Sequence, residues 1–399
     1  MPWDQATVTE AKIDFIREYQ KSVERGEVSM SDLCRRHNIS RKTGYATLEL
    51  FERYGWQGLN GRSRAPHSGS HWADGEAIHA VLSTRCEFPE WGAKKIIAYL
   101  ADIEPNRRWP APSVAHEWLR KADMVVPRTR ARRFSHPGRP PATLIDRPNQ
   151  QWSVDFKGHF RTRDRRYCYP LTVLDSFSRC LLGCDALVGN SFDLVWPVFE
   201  RHFQIFGLPE AILSDGGSPF ASTSIRRLSK LAVRLIRLGI TPLLIEPGKP
   251  QQNGRHERMH RDVKDLACSD PSENACEQQV QFDSLIYKFN EIRPHEALGQ
   301  KPPARFYQPS PRPYPERLPE ITYADAVEVR RVRSSGEIRW QGQWLFVSEA
   351  LIGEPVGFEP VADGCWIIKY ASFELGYYSA RDKKLHLDRT RPAGKAENM

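Results

Sequence analysis

Apolar residues recur at helical spacing over residues 9–55 and alternate with polar ones from residue 151 on, so the chain opens in helices and moves on to strands. Over 9–25, Ile13, Ile16, Tyr19 or Gln20, and Val23 share one face, and Gly26 closes the helix. A short second helix after Ser29 or Ser31 presents Leu33, Cys34 and His37. Asn38 and Ile39 form a tight turn, and Ser40 then caps a third helix that starts at Arg41 and ends near Gly55. Residues 58–70 have the composition of a linker, and 75–126 predict a second helical set with Ser113 as a cap.

From 151 the pattern changes. Residues 151–156 alternate, with Trp152, Val154 and Phe156 on one face and Asp155 on the other. Strands are predicted at 167–175, 179–188, 211–214 and 240–245, with helices over 191–206, from the turn at Gly216 to about Leu238, from Asn253, and over 276–292. Strands followed by strand–helix units imply an α/β domain with a mixed sheet. After a proline-rich hinge come short strands near 326–332, 337–340, 343–347, 354–359 and 365–370. Gly336, Gly342, Gly353 and Gly364 punctuate them, as in a small C-terminal β-barrel or sandwich. The chain from Arg381 on is expected to be disordered.

The expected architecture is therefore multidomain. A helical domain over 1–57 is followed by a linker, 58–72, and a second helical domain, 73–127. An Arg/Pro-rich linker over 128–148 leads to an α/β core, 149–308, a hinge, 309–319, a barrel, 320–387, and a tail, 388–399.

Charge narrows the class of partner. The 399 residues carry 58 Lys+Arg against 49 Asp+Glu, a net charge of +9, and the surplus lies mainly in residues 1–150. That bias suits a polyanion such as double-stranded DNA, because phosphate neutralisation supplies most non-specific nucleic-acid affinity. No apolar run reaches transmembrane length and no basic-then-apolar leader opens the chain, so a soluble, cytoplasmic, nucleoid-associated protein with no membrane partner is expected. The eight cysteines form no Cys-x-x-Cys pair and read as reduced thiols. A zinc site built on Cys34 and His37 would have to recruit His67, His71 or Cys86 from a distance.

A short helix, a tight turn and a polar, basic helix start form a helix-turn-helix pattern in which Arg41, Lys42, Thr43 and Tyr45 face base edges; an ordinary helical hairpin has the same pattern. Arg128, Arg130, Arg132 and Arg133 lie in the Arg/Pro-rich segment, which reads as a tether along phosphates and equally as a solvated connector. Three acids stand out by context. Asp155 projects from the first core strand, Asp215 ends a buried strand before Gly216-Gly217, and Glu257 opens a helix whose Met259, Val263 and Leu266 form the buried stripe. Arg261 and Lys264 share the face of Glu257. Three converging carboxylates raise each other's pKa unless cations lie between them, and a pair of Mg²⁺ ions can serve in-line phosphoryl transfer. Singly, each acid reads as an ordinary cap or surface charge.

These segments resemble the insertion-sequence transposases of bacteria, which have an integrase-type core. The likeness rests on Gln151-Trp152-Ser153-Val154-Asp155-Phe156, Leu213-Ser214-Asp215-Gly216-Gly217, Pro250-Gln251-Gln252-Asn253-Gly254-Arg255-His256-Glu257 and Asn290-Glu291-Ile292-Arg293-Pro294-His295, together with the helix-turn-helix at the front. The resemblance implies a ribonuclease H-like core whose Asp-Asp-Glu triad falls on Asp155, Asp215 and Glu257, binding two Mg²⁺ or Mn²⁺ ions. It implies cleavage at the 3′ ends of the element and attack of the freed 3′-hydroxyl on target DNA. It further implies a homo-oligomer that pairs two ends, with helix-turn-helix modules reading terminal inverted repeats and Lys249, Asn253, Arg261 and Lys264 meeting DNA around the core. Two departures stand beside it. Gly216 replaces the family's frequent Asn, and a longer stretch separates Asp215 from Glu257, with the excess placed in an Arg-rich helix as added basic surface. The alternative is a domesticated or inactive element product acting as a DNA-binding regulator.

Overall fold

A computed structural model of the chain describes residues 8–23, 25–60, 74–125, 145–222, 228–246, 253–263, 270–361 and 364–387. The chain divides into two units, Met1–Asp74 and Gly75–Met399.

The first unit holds α1 (Val8–Glu18), which runs on as a π turn, then α2 (Met30–Arg36) and α3 (Arg41–Tyr54). The Ser40 cap foreseen from the sequence forms, its Oγ accepting from the Thr43 amide at 3.1 Å, and of Ser29 and Ser31 it is Ser29 that caps α2, its Oγ accepting from the Asp32 amide at 3.2 Å. Asn38 turns the chain between α2 and α3 at a φ of 53°. Phe15, Ile16, Leu33, Cys34, Ile39 and Leu48 make the core. A Cβ at Gly44 would lie 2.5 Å from Cys34 Sγ, so glycine is what lets α3 approach α2 so closely.

The second unit begins with α4 (Gly75–Glu87), α5 (Ala93–Ile103) and α6 (Pro112–Lys121), packed around Val81, Trp91, Ile96, Leu100, Ala115 and Leu119. Ser113 is not the cap of α6. The cap is Ala111, with Pro112 in the first turn, where its fixed φ suits the helix and its missing N–H has no partner to lose.

The core follows as β1 (Gln151–Phe156), β2 (Phe160–Arg161), β3 (Tyr167–Asp175), β4 (Leu181–Leu187), α7 (Phe192–Phe206), β5 (Ala211–Ser214), α8 (Lys230–Arg237), β6 (Thr241–Leu244), α9 (Gly254–Val263) and α10 (Ala275–Tyr287). β3 is antiparallel to β1 and to β4, whereas β5 lies parallel to β1 and β6 parallel to β5; β2 pairs with the start of β3. One face of this mixed sheet packs Trp152, Val154, Leu171, Val173 and Ile212 against α7 and α8 through Val195, Phe199, Phe203, Leu231 and Leu235. The other packs Leu174, Leu181 and Cys184 against Met259 and Val263 of α9 and Phe282 and Leu285 of α10. The result is a ribonuclease H-like core with helices on both faces of its sheet.

The last region holds β7 (Glu328–Arg331), β8 (Glu337–Trp340), β9 (Gln343–Phe346), β10 (Pro355–Val361), β11 (Cys365–Tyr370), β12 (Phe373–Ser379) and β13 (Lys384–Leu387). It is not the closed barrel its glycine spacing suggested. Five strands form an open antiparallel sheet in the order β13-β12-β11-β10-β7, and β8 and β9 pair only with each other. Side chains join the two pieces: Trp340 stacks on Phe358 with centroids 3.9 Å apart. Residues 384–387, expected to be disordered, pair with β12 instead.

α8 departs from its expected role as well. Leu231 and Leu235 enter the central core, while Ala232, Val233 and Ile236 enter the core of the C-terminal sheets. Its middle is a buried wedge and not added basic surface, and Arg237 ties it to Glu354 at 3.2 Å. Cys34, Cys168, Cys180 and Cys184 are buried, Cys365 is half-buried, and Cys86 and Cys276 are exposed. Among the described residues, no helix is long and apolar enough to cross a membrane.

Candidate active site

Parallel pairing of β1 with β5 brings the first two acids together. The register matches Val154 with Ser214, so Asp155 and Asp215 occupy the next step at the carboxyl ends of adjacent strands, where strand spacing is about 4.8 Å. β1 has an antiparallel neighbour on one side and a parallel one on the other, and in open α/β sheets ligands bind outside the carboxyl ends of the strands. Asp215 is exposed; the Gly217 amide donates to its Oδ1 at 3.1 Å. That backbone donor orients the carboxylate although Gly216 has no side chain to do so.

Glu257 stands exposed in the first turn of α9, which covers the Asp155 face of the sheet. The three acids act on one another. Burial first, then the negative charge of Asp215, push the Asp155 carboxyl up to about 7; Glu257 adds to the rise, and the Phe156 amide and Lys157 oppose it. Asp155 keeps 22% of its side chain exposed, enough to meet a ligand from the crevice.

Behind Asp155 lies a polar layer that the sequence did not announce. Thr172 of β3 is fully buried and pairs with Asp155 across the ladder. Its hydroxyl lies 2.8 Å from the Asp155 carbonyl oxygen, 2.6 Å from His256 Nε2 and 2.8 Å from His260 Nε2. Ser153 Oγ is 2.9 Å from His256 Nδ1. Burial holds both imidazoles neutral, pulling His260 down to about 3 and His256 well below the ordinary histidine value. The signal for this layer was the i, i+4 spacing of His256 and His260, which extends the stripe of Met259 and Val263 and brackets Glu257.

The other expected contacts divide. Arg41, Lys42 and Tyr45 are exposed on α3, while the Thr43 hydroxyl lies 2.9 Å from Ser40 Oγ within the cap. Arg261 is exposed on α9. Asn253, expected to meet DNA, is instead 6% exposed, and its amide points at Asp155 Oδ2 from 3.5 Å. At the N-terminus of a helix docked on the sheet, its side chain turns inward to the carboxylate. Arg128, Arg130, Arg132, Arg133, Lys249 and Lys264 lie outside the described residues. A further cationic group lies along α9: the partly buried Arg179 guanidinium falls to about 10 through burial and the like charges of Arg255 and Arg258.

Residues 145–250 and 238–303 match integrase core domain families, and residues 11–67 match a helix-turn-helix domain. The chain thus carries regions that match an integrase core domain and a helix-turn-helix domain, and it is similar to insertion-element proteins. It is 28% identical over 210 residues to the "Insertion element IS476 uncharacterized 39.2 kDa protein" of Xanthomonas euvesicatoria, covering 49% of this chain and 56% of that one. It is 30% identical over 198 residues to the "Insertion element IS407 uncharacterized 31.7 kDa protein" of Burkholderia multivorans, covering 47% of this chain and 65% of that one. The alignments thus span less than two thirds of the length of either relative. Among solved structures, the magnesium-bound HTLV-2 integrase catalytic core domain is similar at 15% identity and a TM-score of 0.32, covering 41% of this chain and 98% of that one.

Proposed function

We propose that this protein is a DNA transposase that binds the terminal inverted repeats of an insertion sequence, cleaves at the 3′ ends and joins each 3′-hydroxyl to target DNA. What supports this reading is the placement of Asp155 and Asp215 at the ends of adjacent parallel strands, with Glu257 on the helix that covers that face and the Asp155 carboxyl raised. A half-buried acid pushed up to about 7 by burial and then by the charge of Asp215, with Glu257 adding to it, is a place where a divalent cation offsets these effects, so this donor set fits Mg²⁺ or Mn²⁺. Two such ions, when bound, supply positive charge to the scissile phosphate and make the attacking hydroxyl easier to deprotonate.

The chain's own residues do the rest. Asn253 orients the Asp155 carboxylate and the Gly217 amide orients Asp215. Arg179, Arg255 and Arg258 repel one another until phosphates lie between them, which makes them the DNA-facing flank of α9. Arg41, Lys42 and Tyr45 read the ends in the major groove. The protein acts as a homo-oligomer, since both ends must be held for joining.

The test is strand transfer on DNA carrying the inverted repeats that flank the gene, with Mg²⁺ supplied. Joined products that vanish with Glu257→Gln are the expected result. Tight, specific binding of those ends without any cleavage in Mg²⁺ or Mn²⁺ would instead identify an element-derived regulator.

A further inference from the structure

The hydrogen bonds behind Asp155 fix which ring nitrogens are free. The Thr172 hydroxyl has one proton and three polar neighbours within 2.8 Å. The Asp155 carbonyl cannot donate, so that contact is a hydrogen bond only if Thr172 donates to it. Both imidazoles must then donate their Nε2 protons to Thr172 Oγ1, which has two lone pairs to receive them. His256 Nδ1 is consequently an acceptor, and Ser153 supplies its proton from 2.9 Å. Every polar atom of the His256 ring is committed.

His260 differs. With its proton on Nε2, its Nδ1 carries a bare lone pair, and among the described residues that atom has no hydrogen-bond partner. It faces Asp155 Oδ2 across 3.8 Å, too far for a hydrogen bond, and His260 is only 7% exposed. A lone pair aimed at a carboxylate oxygen inside a protein is unfavourable unless something positive lies between them. Donor atoms lie about 2.0–2.2 Å from a bound divalent ion, so two donors on one ion are separated by about 3 Å at right angles and about 4.2 Å when opposite. The observed gap lies between those limits. The ligand atoms of Asp155, His256 and His260 all fall within 4.8 Å of one another, and with His256 engaged elsewhere, Asp155 and His260 are the two left to share an ion.

We infer that His260 Nδ1 is a direct metal ligand beside Asp155, so that this site has a mixed nitrogen–oxygen donor set and takes Mn²⁺ or a later divalent transition metal in preference to Mg²⁺. The inference rests on the carboxylate site proposed above and names one further ligand of it. The chemistry behind the preference is that Mg²⁺ favours oxygen donors, whereas imidazole favours metals further along the first transition row.

The test uses the full chain with Mn²⁺ and reads the nitrogen coupling to the bound ion by pulsed electron paramagnetic resonance. Wild-type protein is expected to show ¹⁴N modulation that changes to a ¹⁵N pattern when histidine alone is ¹⁵N-labelled. His260→Ala is expected to lose it and to weaken Mn²⁺ binding by about tenfold or more, with a much smaller change for Mg²⁺ in calorimetry. The labelled wild type needs no substitution, and His260→Gln, whose amide reaches the Nε2 position and keeps a donor for Thr172, repeats the test if the alanine variant does not fold. Bound Mn²⁺ that is lost in Asp155→Asn but shows no histidine coupling overturns the ligand assignment and leaves the carboxylate site standing. Histidine coupling that survives both substitutions at position 260 also overturns it. Mn²⁺ affinity unchanged by Asp155→Asn overturns the carboxylate site itself.

Discussion

The two faces of β1 are built on opposite terms. Trp152 and Val154 turn into an apolar layer beneath α7 and α8, where shape and area decide the packing. Ser153 and Asp155 turn toward α9 and meet Thr172, His256 and His260, a buried layer tied together by hydrogen bonds. The apolar face is a scaffold that stabilises by excluding water. The polar face sacrifices part of that stabilisation to hold a carboxylate, with its charge and its ligand direction set in advance.

Truncating the scaffold face has the largest expected effect. Trp152→Ala removes a fully buried indole that stacks near Phe203 and donates to Asn149, and should cost about 3–5 kcal/mol in urea unfolding. Asp155→Asn should act the other way round, leaving the fold intact while lowering end cleavage by at least about 10²–10³-fold, the scale of losing one preorganised electrostatic group. Equal losses of stability from the two substitutions would erase the contrast between the faces.

The polar layer itself is tested by Thr172→Val, which keeps the shape but strands two imidazole donors. About 1–3 kcal/mol of destabilisation is expected, together with reduced cleavage because Asp155 and α9 lose their shared anchor. A change confined to stability would separate the layer from the site.

Acidity gives a finer probe. The folded Asp155 carboxyl sits near 7 against an ordinary 3.8, so the folded state binds its proton more tightly than the unfolded state does. In metal-free protein its contribution to stability therefore falls as pH rises from about 4 to about 7, and Asp155→Asn should flatten that part of the profile. A wild-type and variant difference that stays constant across this window would contradict the burial and crowding assigned to Asp155. The smallest effect lies in the other unit: Arg41→Ala with Lys42→Ala should weaken end binding and lower its salt slope by about one for each phosphate left without its cation.

Much of this was legible in advance because it is local. The Ser40 cap, the alternation of β1 and the short β5 ending at Asp215 follow from capping chemistry and from period-two patterning, which act within a few residues. The three acids stood out by their neighbours in the chain and by resemblance. Other features depended on contacts between distant segments. The glycine spacing of the last region marked its turns but did not say which edges pair, and the ladder stays open. The charges on α8 were read as surface because its second apolar face has a partner more than eighty residues away, as in the packing of Val233 and Ile236 with Val332 and Tyr370. Asn253 was assigned to DNA because sequence alone does not reveal that its helix docks over Asp155.

The sequence by itself determined where helices and strands begin, which acids lie at strand and helix ends, and the basic front half, since capping, periodicity and charge are properties of neighbouring residues. Only the tertiary structure decided that β1 and β5 run in parallel with Asp155 beside Asp215, and that α9 seats two histidines on Thr172. The reason is physical. Strand register and helix docking are settled by burial summed over both faces of the sheet, and a ring nitrogen's freedom is known only when all of its hydrogen-bond partners are in place.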